Sequence, residues 1–421
     1  MAQFSLTSAT NLFKIKYGKL SDNVYNSANV MQGRIKKNYN FTGRQIFIPV
    51  PTSFQGGVGS GSLPTANAAA YQDAVILAKK VYSVVEIERE AIKASMNNEG
   101  AFVQGTKEVV QKGVESYMRN ASRILFGSGD GILGSGVGAT VNVSGNGSTA
   151  TPYVVTFAAA RFKEANWEEK DFVQCVTGLV GGPHPTPFTA GTAEATLLEV
   201  YAVDPATYAV SLVGTSARLA ALTGVGPIVA TDGFAMQNSF LADPQGLASV
   251  LRATSGSLYN VAVGRRWQAA QLDAGAAGIS TDLMNYQMLE VQRKSGKVPN
   301  VIMTSFKQFR KVLNLLEDQK QYILEPRSSD LKGKISFKGV EFMSSAGAVA
   351  IFPERFCDDN VMYFLNDNYI EAHHRPDFGW FEDDGTVFLR KASDDAYEAR
   401  YGGYYQNYIV PSFQGVLYNL A

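Results

Sequence analysis

His184, His373 and His374 are the only imidazoles in 421 residues, so the range of side-chain chemistry open to this chain is narrow. His373 and His374 are adjacent. Neighbours on a strand point to opposite faces, so the two cannot readily hold one metal ion together. Glu382, Asp383 and Asp384 precede Gly385 without the spaced oxygen ligands of a calcium loop, and read as a solvated turn. Gly129-Asp130-Gly131-Ile132-Leu133-Gly134 has the G-x-G-x-x-G spacing that sets a pyrophosphate on a helix N-terminus. That chemistry needs a strand before the glycines and a helix after them. Here a helix precedes and β structure follows, so they read as a linker. Asp377-Phe378-Gly379 copies a kinase tripeptide, but no catalytic loop or lysine strand accompanies it. Cys175 and Cys357 lie outside any metal or redox motif and read as reduced packing residues. The expectation is no catalysis, no cofactor and no metal.

The chain instead spends residues on surface that only a partner could complete. Gln45-Ile46-Phe47-Ile48-Pro49-Val50-Pro51 reads as an outgoing strand, and Tyr71 to Leu77, continuing to Val81–Ile87, as its return. Between them lies a glycine-rich tip with Gly57, Gly59, Gly61 and Leu63. A hairpin this long, with prolines on one arm and small residues at its tip, is marginal alone in water. A second copy of the same chain is the simplest partner, which makes those four tip residues candidate intersubunit contacts.

Charge is unevenly spread although the net is zero. Residues 1–50 hold seven bases, among them Lys14, Lys16, Arg34, Lys36 and Lys37, against Asp22 alone, a local charge of +6. Residues 354–398 hold twelve acids, Asp383 and Asp384 included, against four bases, a local charge of −8. Two independently solvated faces would account for this, as would an arm facing nucleic acid. A flexible N-terminal arm has little reason to fold back onto its own C-terminal sheet, so the expectation is that it lies on an acidic surface of an adjacent copy.

Apolar content of 45% is that of a globular chain, and 421 residues suffice for about two or three domains. No run of eighteen apolar residues occurs and the N-terminus lacks a secretory pattern, so the expectation is synthesis in a cytoplasm and no membrane. Residues 98–126 carry apolar positions at helical spacing (Val110, Val114, Tyr117, Ala121, Leu125), with Gly127 to end them: a helix of roughly 40 Å. Residues 127–150 read as a flexible glycine-rich connector, and 153–229 as short strands forming a compact β unit. Between 280 and 316 helix and strand alternate, with Ser280 or Thr281 as one cap and Ser305/Gln308 as a capping box. Short strands follow residue 333.

The order of these pieces resembles the tailed-bacteriophage major capsid protein of the Hong-Kong-97 type. The closing Tyr397-Glu398-Ala399-Arg400 and Tyr408-Ile409-Val410-Pro411-Ser412-Phe413 are similar to the acidic-x-arginine and proline-aromatic endings of that family. The resemblance implies an α+β fold with an N-arm (1–40), an extended E-loop hairpin (41–92), and a P-domain with spine helix and linker (93–138). A P-domain β region with an inserted β subdomain (139–255), an A-domain (256–350) and closing strands of both domains (351–421) would follow. It further implies a virion shell of hexamers and pentamers around double-stranded DNA held without sequence specificity, in an icosahedral or prolate head. No long helical pro-segment precedes the arm, so scaffolding would come from a separate protein, with a portal and room for a decoration protein. Some relatives cross-link through an E-loop lysine, but no lysine lies between Arg44 and Lys79. The alternatives are an encapsulin-like compartment of the same fold, or a β-rich carbohydrate-binding or carbohydrate-active protein using Trp167, Tyr201 and Tyr208 as a sugar platform.

Overall fold

Gln45–Ser53 and Ala70–Leu77 pair antiparallel, with Gln45 opposite Leu77, Ile48 opposite Ala74 and Pro51 opposite Tyr71. Among the described residues the ribbon is a two-stranded sheet joined to no other sheet. Pro49 and Pro51 both lie in Gln45–Ser53, which has no second strand partner, while on the other strand Val75 N donates to the Tyr259 carbonyl at 2.8 Å. The ribbon's period of two is clear. Val50, Ala74 and Ile76 are buried in the main core with Ile46 and Ile48 packed against them, while Phe47 and Tyr71 are 55% and 60% exposed. The structure is a computed structural model that describes residues 30–41, 43–53, 70–89, 99–136, 141–181, 187–318, 340–344, 347–376, 378–382, 385–391 and 394–421.

The expected return strand breaks at Ala78. Lys79–Glu88 leaves the ribbon and pairs antiparallel with Ala396–Ile409, from Lys79 opposite Tyr405 to Glu88 opposite Ala396. That long strand also pairs with Ile370–His374, Gly379–Trp380 and Leu389–Arg390. Across it lies the expected helix, Glu99–Phe126. Tyr117 meets Phe378 and Tyr401 edge-on, with centroids 5.6 and 5.3 Å away, while Val114, Met118 and Ala121 complete the packing. The helix approaches the sheet so closely that a Cβ on Gly113 would meet Val85 Cγ2 at 2.3 Å.

A seven-stranded sheet with its own core forms the β region. It is wider than the sequence indicates, since Ile132–Ser135 and Gly233–Met236 are two of its strands. The reading of residues 127–136 as flexible connector is therefore corrected. Ile132 and Leu133 are buried, and the buried Asp130 accepts from Ser128 Oγ at 2.8 Å, Ile132 N at 3.1 Å and Phe188 N at 2.9 Å. Gly131 is there for space and for a positive φ of 77°, because a Cβ would meet the Ser239 carbonyl oxygen at 2.3 Å.

The α/β region is a six-stranded sheet in the order Ala270–Asp273, Gly415–Tyr418, Met362–Leu365, Val301–Thr304, Gly347–Pro353, Val340–Ser344. Thr281–Ser295 and Phe306–Asp318 are its helices. Ser280 Oγ accepts from Leu283 N at 3.2 Å and Gly296 closes the first helix at φ 71°, as expected. The capping box is only half made. Ser305 Oγ accepts from Gln308 N, but Gln308 Nε2 donates to the carbonyls of Asp359 and Ala421, tying down the chain end instead.

Gly43 and Gly131 share a positive φ, yet only Gly131 lacks room for a Cβ. Gly43→Ala is expected to cost about 1 kcal/mol and Gly131→Ala at least ~3 kcal/mol. Denaturant unfolding of the two variants would show equal small losses if residues 127–136 were a loose connector.

Candidate assembly surface

The basic arm ends by docking on the sheet of its own chain. Val30–Arg34 is a short helix, and Met31, Ile35 and Phe41 are buried in the main core. Each apolar side chain of this size contributes about 1.5–3 kcal/mol when fully buried. Gln32 Nε2 donates to the Ala121 carbonyl at 3.1 Å. Lys36–Asn38 then runs parallel to Glu371–His373, with Lys36 opposite Glu371 and Asn38 opposite His373.

This corrects the expected destination of two cations. Arg34 pairs with Asp367 at 2.8 Å and Lys36 with Glu371 at 3.1 Å, both within one chain. The acids do fall in the −8 segment. Buried apolar anchors bring the arm onto its own sheet, and the exposed pairs add only about 0–1 kcal/mol each. Lys37 is half-buried opposite Ala372. Lys14, Lys16, Gly57, Gly59, Gly61, Leu63, Asp383 and Asp384 lie outside the described residues.

Beneath the arm strand sit the two adjacent histidines, 3% and 2% exposed. Among the described residues no ring nitrogen of either has a hydrogen-bond partner, although Glu371 Oε2 lies 3.2 Å from His373 Nε2. The rings face different neighbours. His374 stacks between Tyr39 and Tyr405, centroids at 5.4 and 5.3 Å, with Phe378 edge-on, whereas His373 meets Tyr408. Burial, with Lys37 adding repulsion, pushes His374 down to about 3. His373 is also lowered by burial, with Glu371 opposing. Among the described residues no group of three or more His, Cys, Asp or Glu side chains is arranged to hold a metal ion.

Other singled-out residues are placed apart. Trp167 is a core residue, 5.4 Å from Phe157 and 6.0 Å from Phe234, while Tyr201 and Tyr208 are exposed, so the three do not form a sugar platform. Glu398 and Arg400 pair at 2.5 Å on the long strand, and Phe413 stacks on Tyr369 at 3.8 Å. Both cysteines are buried and free. Among the described residues no helix is long and apolar enough to cross a membrane.

No protein-family model matches this sequence, and no curated protein does. Solved structures match its fold. The capsid asymmetric unit of cyanophage A-1(L) superposes with a TM-score of 0.51 at 10% identity, over 92% of this chain and 91% of that chain. The capsid of a native GTA particle gives 0.44 at 9% identity, over 92% and 89% of the two chains. The holo-SrpI encapsulin complex of Synechococcus elongatus PCC 7942 gives 0.41 at 7%, over 92% and 85%. The chain has the α+β fold of a phage capsid protein.

The histidines make docking pH-dependent in a definite direction. His374 is neutral when folded, and an unfolded histidine titrates near about 6.5. The unfolded state binds the proton first, so stability is full above about pH 6.5 and falls as pH drops toward about 3. Between pH 7 and pH 5 His374 should cost about 2 kcal/mol, with Lys36, Lys37 and Glu371 as the charges facing the pair. His374→Phe keeps the ring stack without the titration. Its unfolding midpoint should lose correspondingly less over that interval, and parallel pH profiles would refute the assignment.

Proposed function

We propose that this chain is a structural shell subunit, the major capsid protein of a tailed bacteriophage, which self-assembles into hexamers and pentamers of a closed head around double-stranded DNA. One observation carries the reading beyond fold likeness. The Gln45–Ser53/Ala70–Leu77 ribbon is a sheet of its own whose outer face presents Phe47, Tyr71 and Leu77 to solvent. One face of the ribbon is buried on the main core, and exposed aromatics on the other face are poor design for a monomer. They suit an element completed by a neighbour.

In this reading the ribbon is the E-loop and Glu99–Phe126 the spine helix. The sheet on Ala396–Ile409 belongs to the P-domain, the α/β sheet to the A-domain, and the seven-stranded sheet to an inserted β unit. Scaffolding, portal and decoration proteins would be separate chains, and the site of action is the virion shell. A closed lattice multiplies modest contacts, so no single interface need be strong.

Deleting Gly56 to Leu63 should leave a soluble, folded protein that no longer closes into particles, because the buried face of the ribbon begins beyond those residues. Particle formation would be scored by sedimentation velocity and electron microscopy, with circular dichroism reporting the fold. Normal particles from the deletion would remove the ribbon from its proposed role.

A further inference from the structure

The long strand loses one partner where the ribbon departs. Its pairing with Lys79–Glu88 ends at Tyr405 opposite Lys79, and the preceding strand, Ala70–Leu77, belongs to the ribbon instead. One residue fills the fork. Tyr259 Oη donates to the Asn407 carbonyl at 2.7 Å and accepts from Ile409 N at 3.3 Å, taking up two groups of the long strand beyond Tyr405. The backbone carbonyl of the same residue accepts from Val75 N on the ribbon at 2.8 Å. Its ring is buried and meets Tyr408 edge-on at 5.4 Å.

Tyr259 holds this place under strain. It forms with Asn260 the two-residue turn between Ser257–Leu258 and Val261–Ala262, at φ of 52° and 67°. Such turns call for Asn, Asp or Gly, and a bulky side chain at positive φ is unfavourable. The small hairpin is braced on two sides. Trp267 Nε1 donates to the Leu258 carbonyl at 3.2 Å, and Ala262 N donates to Gln72 Oε1 of the ribbon at 3.2 Å. Val50, Ala74 and Ile76 hold the ribbon down by burial, which is non-directional. Its heading must come from directional bonds, and among the described residues the two from this hairpin are the hydrogen bonds between ribbon and frame.

We propose that Tyr259 is a positioning residue that sets the heading of the ribbon, and thereby the curvature at which copies of this chain close into a particle. The curvature part rests on the shell-subunit reading, because in a closed assembly the angle between neighbours fixes how many copies complete it. Without the Tyr259 hydroxyl the ribbon stays folded and stays on the core, but its angle varies from copy to copy.

The test compares the full chain with three variants. Tyr259→Phe keeps the ring and loses only the hydroxyl. Gln72→Ala removes the second tie at an exposed position. Ile302→Val weakens the α/β core, away from the ribbon, and controls for a loss of stability alone. In unassembled protein the Val75 amide should exchange roughly tenfold faster in Tyr259→Phe than in the parent, with Ile302→Val close to the parent. By electron microscopy the parent and Ile302→Val should give particles of one diameter, and Tyr259→Phe a spread of diameters or no closure, with Gln72→Ala shifted the same way by less. Uniform particles of parent diameter from Tyr259→Phe overturn the proposal, as does a Val75 amide no faster there than in Ile302→Val. Should Tyr259→Phe fail to fold, Gln72→Ala decides by the same two readouts. If the parent forms no particles, the shell reading fails by itself, and the exchange comparison alone decides whether Tyr259 sets the heading.

Discussion

The backbone ladder of Ala396–Ile409 is the constraint on which the remaining architecture depends. This strand pairs with Lys79–Glu88 along ten residues and with Ile370–His374 toward its C-terminal end. Through the first it holds the root of the ribbon, and through the second the strand that carries the arm. Each buried backbone group left unpaired costs about 1–3 kcal/mol, so neither partner can be withdrawn cheaply. Gly402 shows how tight the ladder is: at φ 142° a Cβ would lie 2.2 Å from the Val81 carbonyl oxygen. The N-terminal and C-terminal parts of the chain are thereby locked to each other, and the exposed face of the ribbon is projected from a fixed base.

The β region is held to this frame by a different kind of contact. Arg119 on the long helix pairs with Glu168 at 2.6 Å and with Asp171, and Lys163 pairs with Asp358 at 2.8 Å. Burial raises the Asp171 carboxyl while Arg119 pulls it down. In such half-buried pairs desolvation offsets much of the attraction, so their net contribution is modest, but removing one partner strands the other. These contacts fix orientation more than they add stability. The apolar core of the β region, centred on Phe157, Trp167 and Phe234, closes largely within itself.

The long helix, the ribbon pairing and the helix caps were legible because each is written in local periodicity and end chemistry. Val114, Tyr117 and Ala121 repeat at helical spacing, and Val50, Ala74 and Ile76 alternate with exposed neighbours. The fourteen-residue strand was not legible. Its tyrosines and paired glycines, Gly402 and Gly403, follow no simple alternation, because both faces are packed and the glycines answer to Val81 and Phe378 far away in sequence. Gly131 misled for the same reason, since close approach and flexibility call for the same residue. For the arm, Arg34 and Lys36 were expected to meet acids of an adjacent copy, whereas within the chain they meet Asp367 and Glu371, because Met31, Ile35 and Phe41 enter a core that no local period announces.

The most direct measurement is electron microscopy of the purified full chain, carried to a reconstruction where particles form. The account predicts closed particles of uniform size, with Phe47 and Tyr71 of each ribbon covered by an adjacent copy. A monodisperse monomer with both aromatics in solvent, or particles whose contacts leave the ribbon bare, would contradict it.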